Sequence, residues 1–185
     1  MTEANERIVW SPQSGPQEML VACPITLIGY GGARGGGKTD GVLGKFAVNQ
    51  EQLGEAFNAI FFRKELPQAD DLIERAKQIY LPLRAHWQDQ KKQFTFPNGA
   101  RLRFRPLADD SDAEKYQGQN LSHAAIEEAG NFSSPSPIFK MFGALRGRGR
   151  GQVILTFNPG GVGHHWLKEL FIKPAPRGMK VLEKV

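Results

Sequence analysis

Residues 25–39 have the sequence ITLIGYGGARGGGKT, and this stretch decides the fold class. The apolar run Ile25–Tyr30 predicts a β-strand, and Gly32–Thr39 matches the phosphate-binding loop pattern G-x-x-x-x-G-K-[ST] in full. In such a loop backbone N–H groups converge on phosphate oxygens, and a helix beginning near Lys38 adds the positive end of its dipole. Lys38 is expected to reach the β- and γ-phosphates of a nucleoside triphosphate, and Thr39 to hold Mg²⁺. The alternative, a flexible glycine linker, is disfavoured by the strand before the loop and the helical spacing after it.

The composition is that of one α/β domain. A chain of 185 residues can build one domain with a core but not two large ones. The net charge of +5 gives a mild preference for polyanionic partners without establishing nucleic-acid binding. Cys23 is the single cysteine, which excludes an intrachain disulfide and favours a reducing compartment. No apolar run reaches the roughly 18 residues of a membrane span, and residues 1–7 lack a signal-peptide core, so we expect a cytosolic protein without membrane contact.

Strands and helices alternate along the first half of the chain. A polar lead containing Pro12, Gly15 and Pro16 precedes the first strand. Apolar periodicity then predicts, in order, helix Lys38–Gln50, strand Phe57–Arg63 and helix Pro67–Tyr80. From Gln93 to Arg105 the pattern changes to strict alternation around Pro97-Asn98-Gly99, which predicts a β-hairpin.

The second half continues the alternation. Asp109–Gln119 is polar and acidic and predicts an exposed loop. It is followed by a predicted strand Ser122–Ile126, a helix from Pro135 to about Leu145, and a strand Gln152–Phe157 that ends in a turn at Asn158. This order favours a mainly parallel sheet with helices on both faces.

Two adjacent acids follow the short apolar strand, in the usual setting of a Walker B motif. Glu127 is expected to assist the metal and Glu128 to polarise water, because hydrolysis requires both beside the γ-phosphate. Adjacent residues at a strand end project in opposite directions, so the two carboxylates can take different roles. The alternative is a pair of surface glutamates at a strand end.

Asn158 lies at the end of the next strand, where a polar side chain can sense the γ-phosphate or orient water. By itself, an asparagine before Pro159 is better explained as a turn former.

Four segments of the chain, in their order and spacing, resemble the large terminase subunit of tailed bacteriophages. The resemblance covers roughly Gln17 to Leu170. The segments are Gly32–Thr39, Tyr116–Asn120, Ile126–Phe132 and Thr156–Trp166. In that family they are the Walker A loop, the approach to Walker B, Walker B with its catalytic glutamate, and the coupling motif that links hydrolysis to DNA movement. The resemblance implies an α/β P-loop NTPase fold with a β-hairpin insertion. The last segment is the most specific, because Walker A loops occur in many unrelated NTPases.

The resemblance also implies roles for individual residues. Lys38 becomes the γ-phosphate ligand, Glu128 the catalytic carboxylate and Asn158 the coupling residue. Thr39 and Glu127 become the Mg²⁺ residues, partly through water. The family usually carries aspartate at position 127, and the extra methylene of glutamate moves the carboxylate by about one C–C bond.

The resemblance also implies further residues of the nucleotide site. Arg34 matches an arginine within the Walker A loop that responds to the γ-phosphate, and Gln17 resembles the glutamine that reads the adenine edge. The full expected set is Gln17, Gly32, Ala33, Arg34, Gly35, Gly36, Gly37, Lys38, Thr39 and Asp40.

Arginines elsewhere leave two questions open. Motors of this type assemble as rings in which one subunit's arginine completes its neighbour's site. The candidates are Arg146, Arg148 and Arg150, and Gln117 stands where relatives often carry arginine. In the hairpin Arg101, Arg103 and Arg105 share one strand face, which is either a solvated outer face or a stripe that follows DNA phosphates.

The resemblance leads to one functional hypothesis and two alternatives. The hypothesis is a single ATPase domain over residues 1–185, without the lid or the nuclease domain of the family, that uses ATP and Mg²⁺ to package double-stranded DNA. The implied partners are DNA, the small terminase subunit, the portal protein and further copies in a ring, with a monomer in isolation. It would act in the host cytoplasm and be absent from the mature virion. The alternatives are a nucleotide-binding assembly module with poor hydrolysis and a helicase-like remodelling ATPase.

Overall fold

The computed structural model describes residues 8–65, 69–146 and 151–173. Its strands are β1 (Leu27–Gly31), β2 (Asn58–Arg63), β3 (His86–Gln88), β4 (Gln93–Thr95), β5 (Arg101–Pro106), β6 (His123–Ile126) and β7 (Gln152–Phe157). Its α-helices are α1 (Pro16–Ala22), α2 (Lys38–Leu53), α3 (Asp70–Tyr80), α4 (Asp110–Glu114), α5 (Ser136–Phe142) and α6 (His164–Leu167). Short 3₁₀ turns lie at Gly54–Ala56 and Ala129–Asn131, and a π-helical turn lies at Lys168–Ile172.

All seven strands form one sheet in the order β1-β7-β6-β2-β5-β4-β3. The first five in this order are parallel to one another, and β4 and β3 add antiparallel pairs at one edge. Strand β7, late in the chain, is inserted between β1 and β6. The loops that follow β1, β7 and β6 therefore meet at one edge of the sheet, where α/β proteins bind ligands.

The core consists of two layers, one on each face of the sheet. Strand β2 serves both, because its side chains alternate: Ala59 and Phe61 face the layer of α1, α2 and α3, and Ile60 and Phe62 face the layer of α4, α5 and α6. This confirms the predicted mainly parallel sheet with helices on both faces. None of the helices in the described part of the chain is long and apolar enough to span a bilayer.

The predicted hairpin is confirmed, with one addition. Its strand β5 pairs with β2 in parallel, so the hairpin extends the main sheet. The sequence analysis missed β3, whose three residues pair with β4. Three residues are too short a run for an alternation pattern to be visible.

The prediction of an exposed loop over Asp109–Gln119 was wrong for its first part. Helix α4 begins there because the Asp109 carboxylate accepts hydrogen bonds from the backbone N–H groups of Ser111 and Asp112, at 2.9 and 3.1 Å. Ala113 in this helix and Tyr116 just after it are buried. A five-residue helix among acidic residues has too few apolar positions to show a helical period.

The polar lead also contains a helix that the sequence analysis missed. Helix α1 starts at Pro16, and the Glu18 carboxylate accepts a hydrogen bond from the Gly15 N–H at 2.9 Å. The first residues of the predicted helix Pro67–Tyr80 lie outside the described residues, as do Arg148 and Arg150.

Candidate active site: a phosphate-binding loop facing two glutamates

The glycine loop connects β1 to α2 at the ligand-binding edge of the sheet. Gly35 and Gly37 have φ values of 75° and 66°, a left-handed backbone that favours glycine. Helix α2 starts directly after Gly37. The loop is tied to the next strand of the sheet, because the Gly32 N–H donates to the Phe157 carbonyl at 3.2 Å. Its local geometry is therefore that of an anion cradle at a helix N-terminus.

Lys38 joins the loop to the end of β7. Its ammonium donates to the carbonyls of Gly32 and Ala33, at 3.0 and 2.6 Å, and to Oδ1 of Asn158 at 2.9 Å. Burial lowers the pKa of Lys38, and the charge of Glu127 acts in the opposite direction. The contact spans 120 residues of sequence. The fold thus brings Asn158 beside the loop lysine.

Thr39 and Glu127 form the second contact across the site. The Thr39 hydroxyl donates a hydrogen bond to Oε1 of Glu127. Oε2 of the same carboxylate is buried and accepts no hydrogen bond from any residue the structure describes. Burial raises the pKa of Glu127, while the Thr39 hydrogen bond and the charge of Arg63 lower it.

A hydroxyl beside a buried carboxylate oxygen with spare acceptor capacity fits a Mg²⁺ ion, which prefers hard oxygen ligands. In the described ranges 8–65, 69–146 and 151–173 no cluster of three or more His, Cys, Asp or Glu side chains could hold a metal. Water and phosphate oxygens would complete the coordination, as is usual for Mg²⁺.

Glu128 faces the same space in a different environment. Its φ of 54° is left-handed, and its backbone N–H donates to the Thr156 hydroxyl at 3.3 Å. One carboxylate oxygen accepts a hydrogen bond from the Asn131 amide at 3.1 Å. The side chain is 41% exposed, against 9% for Glu127. Glu128 is the more accessible of the two carboxylates to water.

The expectation that strand alternation sends the two carboxylates in opposite directions was wrong. Strand β6 ends at Ile126, before either glutamate, and the left-handed Glu128 interrupts the extended backbone. As a result both carboxylates face one guanidinium, that of Arg63. The sequence analysis did not single out Arg63. The signal that could have found it is its position at the end of a buried strand, Phe57–Arg63.

These groups line one open cavity of about 730 Å³ at the edge of the sheet. Its walls are formed by Arg34, Gly35, Gly36, Gly37, Lys38, Thr39, Asp40, Arg63, Asp71, Leu72, Arg75, Glu127, Glu128, Thr156, Phe157 and Asn158. Arg34 is exposed on the loop. Most of the expected nucleotide site therefore borders this cavity, together with three residues of α3 that sequence reasoning missed.

Gln17, expected at the adenine edge, does not line the cavity. It is buried, its amide nitrogen donates to the Gly37 carbonyl at 2.9 Å, and its amide oxygen accepts from the Gln13 N–H at 2.8 Å. In this structure Gln17 supports the loop from behind. Asp40 borders the cavity, and its carboxylate accepts from the Trp10 indole at 2.9 Å and pairs with Arg75 at 2.6 Å.

The arginines of the hairpin do not form a uniform stripe. Arg103 is half-buried and donates to Gln119 and Asn58, at 2.8 and 2.9 Å. Burial lowers its pKa to about 10. Arg105 donates to backbone carbonyls of Lys91 and Phe104. The exposed Arg101 is the member of this row that faces solvent most fully.

Solved structures similar to this chain include phage packaging proteins. The large terminase of the thermophilic bacteriophage D6E matches with a TM-score of 0.69 over 90% of this chain, at 17% sequence identity. This chain has the fold of a phage terminase ATPase domain. It spans 44% of the D6E protein, which has also been solved with ATP-γ-S and with ADP.

Two other proteins share the terminase ATPase fold with this chain. The ATPase domain of the Thermus phage P74-26 large terminase has a TM-score of 0.62 and 14% identity, over 88% of this chain and 70% of its own. The N-terminal domain of the DNA packaging ATPase from bacteriophage phi29 has a TM-score of 0.55 and 18% identity, over 77% of each chain. No protein-family model and no curated protein matches the sequence.

Proposed function

We propose that this chain is the ATP-hydrolysing motor domain of a phage terminase large subunit, which drives the packaging of double-stranded DNA into a procapsid. One observation carries the proposal: Lys38, Thr39, Glu127, Glu128 and Asn158, from three loops of the sheet, border a single cavity. Phosphoryl transfer to water requires charge neutralisation and the orientation of water, and this cavity has groups for both.

In the proposed site each residue has one task. Lys38 binds the γ-phosphate, and the loop N–H groups of Gly35 to Gly37 bind the other phosphate oxygens. Thr39 and Glu127 would hold Mg²⁺, and a bound Mg²⁺ would supply neutralisation of the phosphate charge. Glu128, the more exposed carboxylate, orients the attacking water. Asn158 accepts a hydrogen bond from Lys38. Through this contact, a movement of Lys38 on loss of the γ-phosphate is passed to β7 and the turn after it.

Steady-state phosphate release tests these assignments. Lys38→Ala is expected to lose turnover because the phosphates lose their cation, and Glu128→Gln because the amide cannot accept a proton. We expect each to lower kcat by about a hundredfold or more. Leu81→Ala, an exposed side chain outside the cavity, is the control. Wild-type turnover in either site variant would disprove the assignment.

The second candidate is an assembly module that binds the nucleotide and hydrolyses it poorly. Glutamate at position 127 favours it, because its carboxylate lies about one C–C bond farther from the backbone than that of the family's usual aspartate and would hold Mg²⁺ in a shifted position. Single-turnover hydrolysis with and without double-stranded DNA separates the two. A motor domain should be accelerated by DNA, whereas an assembly module should be slow in both conditions.

The wider context is part of the same proposal. We infer that the chain is one ATPase domain and that it works in a ring on double-stranded DNA. In this proposal its protein partners are the portal protein and the small terminase subunit. It acts in the host cytoplasm and is absent from the mature virion. The single continuous sheet and the packaging proteins that share the fold support these inferences. Arg146 is exposed, as a residue acting on a neighbouring subunit's site must be.

A further inference from the structure

Arg63 ends strand β2 and lies between the two glutamates of the site. Its Nη1 is 3.6 Å from Oε2 of Glu127, and its Nη2 is 3.5 Å from Oε1 of Glu128. The side chain is 18% exposed, so both ion pairs are partly shielded from solvent. The reaction proposed above gives Arg63 no task. A guanidinium in this position nevertheless contacts both carboxylates on which that reaction depends.

The end of β2 holds the turn after β6 at further points. The Glu127 N–H donates to the Phe62 carbonyl at 2.9 Å, and the Lys64 ammonium donates to the Asn131 carbonyl at 3.3 Å. Asn131 in turn donates its amide to Oε2 of Glu128 at 3.1 Å. The Glu128 carboxylate therefore has Arg63 at one oxygen and Asn131 at the other.

Electrostatics gives a reason for this arrangement. Glu127 and Glu128 are neighbours in sequence and face one cavity, so their like charges repel when both are ionised. The planar guanidinium offers separate nitrogens to two acceptors, whereas a lysine ammonium is a single point charge. Arg63 can thus offset the repulsion while keeping the carboxylates at separate positions.

We propose that Arg63 is a positioning residue of the hydrolytic site, which holds the Glu128 carboxylate where it orients water and separates it from Glu127. The inference rests on the proposed ATPase function. It makes Arg63 a determinant of the chemical step that acts through the Glu128 carboxylate. A competing role, in which Arg63 restrains Glu128 and inhibits hydrolysis, has the opposite consequence for turnover.

Turnover of Arg63→Gln, Arg63→Lys and a charge-matched control, Arg84→Gln, distinguishes these roles. Arg84 is exposed in the turn after α3, away from the cavity. We expect Arg63→Gln to lower kcat by about tenfold or more with KM little changed, and Arg63→Lys to recover part of the loss. Arg84→Gln should match the wild type. A rise in kcat, or a loss that appears only in KM, would overturn the proposal.

A double-mutant cycle with Glu128→Gln separates positioning from general damage to the fold. If Arg63 acts through Glu128, adding Arg63→Gln to Glu128→Gln causes no further loss of turnover. If the two losses multiply, Arg63 acts independently of Glu128 and the proposal is wrong.

Hydrogen exchange in residues 127–132 tests the contact without relying on hydrolysis. The Asn131 N–H donates to the Glu128 carbonyl at 2.8 Å, so its exchange reports on the turn that carries Glu128. Arg63→Gln should accelerate this exchange, and Arg84→Gln should not. Unchanged exchange in Arg63→Gln contradicts the proposal even if the wild type hydrolyses ATP. A wild type that binds no nucleotide and hydrolyses none instead refutes the proposed function, while the exchange result still decides whether Arg63 holds the turn.

Discussion

At the scale of single residues, burial changes the chemistry of Glu127 within the site. The residue is 7% exposed, and one carboxylate oxygen lacks a hydrogen bond from any residue in the described ranges. Desolvation raises its pKa, and the hydrogen bond from Thr39 and the charge of Arg63 offset only part of this rise. In the protein without metal, an ionised Glu127 is therefore destabilising. A bound cation would remove this cost, so stability and metal binding are linked at this residue.

This linkage predicts a pH-dependent effect of Glu127→Gln. A carboxyl with a raised pKa holds its proton more tightly in the folded chain, so its stability contribution is full below the ordinary value of 4.5 and is lost as pH rises through the folded-state pKa. Without metal, Glu127→Gln should have a higher urea midpoint than the wild type at pH 7. The two midpoints should converge at about pH 4.

Urea unfolding in EDTA measures both midpoints. Glu128→Gln is the matched control, since its side chain is 41% exposed and should show no comparable gain at neutral pH. A Glu127→Gln midpoint below that of the wild type at pH 7 would show that the carboxylate is compensated within the chain and needs no cation.

At the scale of elements, α2 is held from two sides, and this fixes the direction in which the glycine loop faces. On one side the Trp10 ring packs against Gly44, where an added Cβ would be 2.1 Å from Cζ2 of the indole. On the other side the Tyr80 hydroxyl of α3 donates to the Leu43 carbonyl at 2.8 Å. Neither contact involves a residue of the loop. Both nevertheless orient the helix whose first turn carries Lys38 and Thr39.

The hydrogen bond between α3 and α2 predicts that two Tyr→Phe substitutions lower the free energy of unfolding by different amounts. Tyr80→Phe leaves the buried Leu43 carbonyl without this donor and should lower the free energy of unfolding by about 1 kcal/mol. Tyr30→Phe should change it by less than about 0.5 kcal/mol, since that hydroxyl is buried without a hydrogen-bond partner in the described part of the chain. Urea unfolding of both variants at one pH provides the comparison. Equal losses would show that the Tyr80 hydrogen bond contributes nothing specific.

At the scale of the whole molecule, strand order creates the site. Strand β7 lies between β1 and β6, so Asn158 at its end lies between the glycine loop and the glutamates. The Lys38–Asn158 and Thr39–Glu127 contacts then cross from loop to loop. A ligand bound there contacts the ends of three strands at once. Its binding energy should therefore stabilise the entire fold.

This predicts a thermal shift that depends on Lys38. At a nucleotide concentration about 100 times the Kd, the stabilisation is about 2.7 kcal/mol. For a domain of this size that corresponds to a rise in Tm of roughly 5–10 °C. ATP with Mg²⁺ should raise the wild-type Tm by this amount, and removing Mg²⁺ with EDTA should reduce the shift. Differential scanning fluorimetry of wild type and Lys38→Ala makes the measurement, and an equal shift in both would contradict phosphate binding by Lys38.

The sequence by itself determined the local features of this protein. The glycine spacing of the loop, the start of α2 at Lys38, the alternating hairpin and the buried strands depend on backbone conformation and on periods of two or 3.6 residues, which a short window contains. Helices α1 and α4 and strand β3 were missed because each is short and holds too few apolar positions to show a period.

Only the tertiary structure decided which distant residues meet. The insertion of β7 between β1 and β6, the position of Arg63 between two glutamates, and the use of Gln17 as a support behind the loop depend on contacts between remote segments. The physical reason is that strand order and side-chain pairing follow from how both faces of the sheet are buried together, and no local pattern records that arrangement.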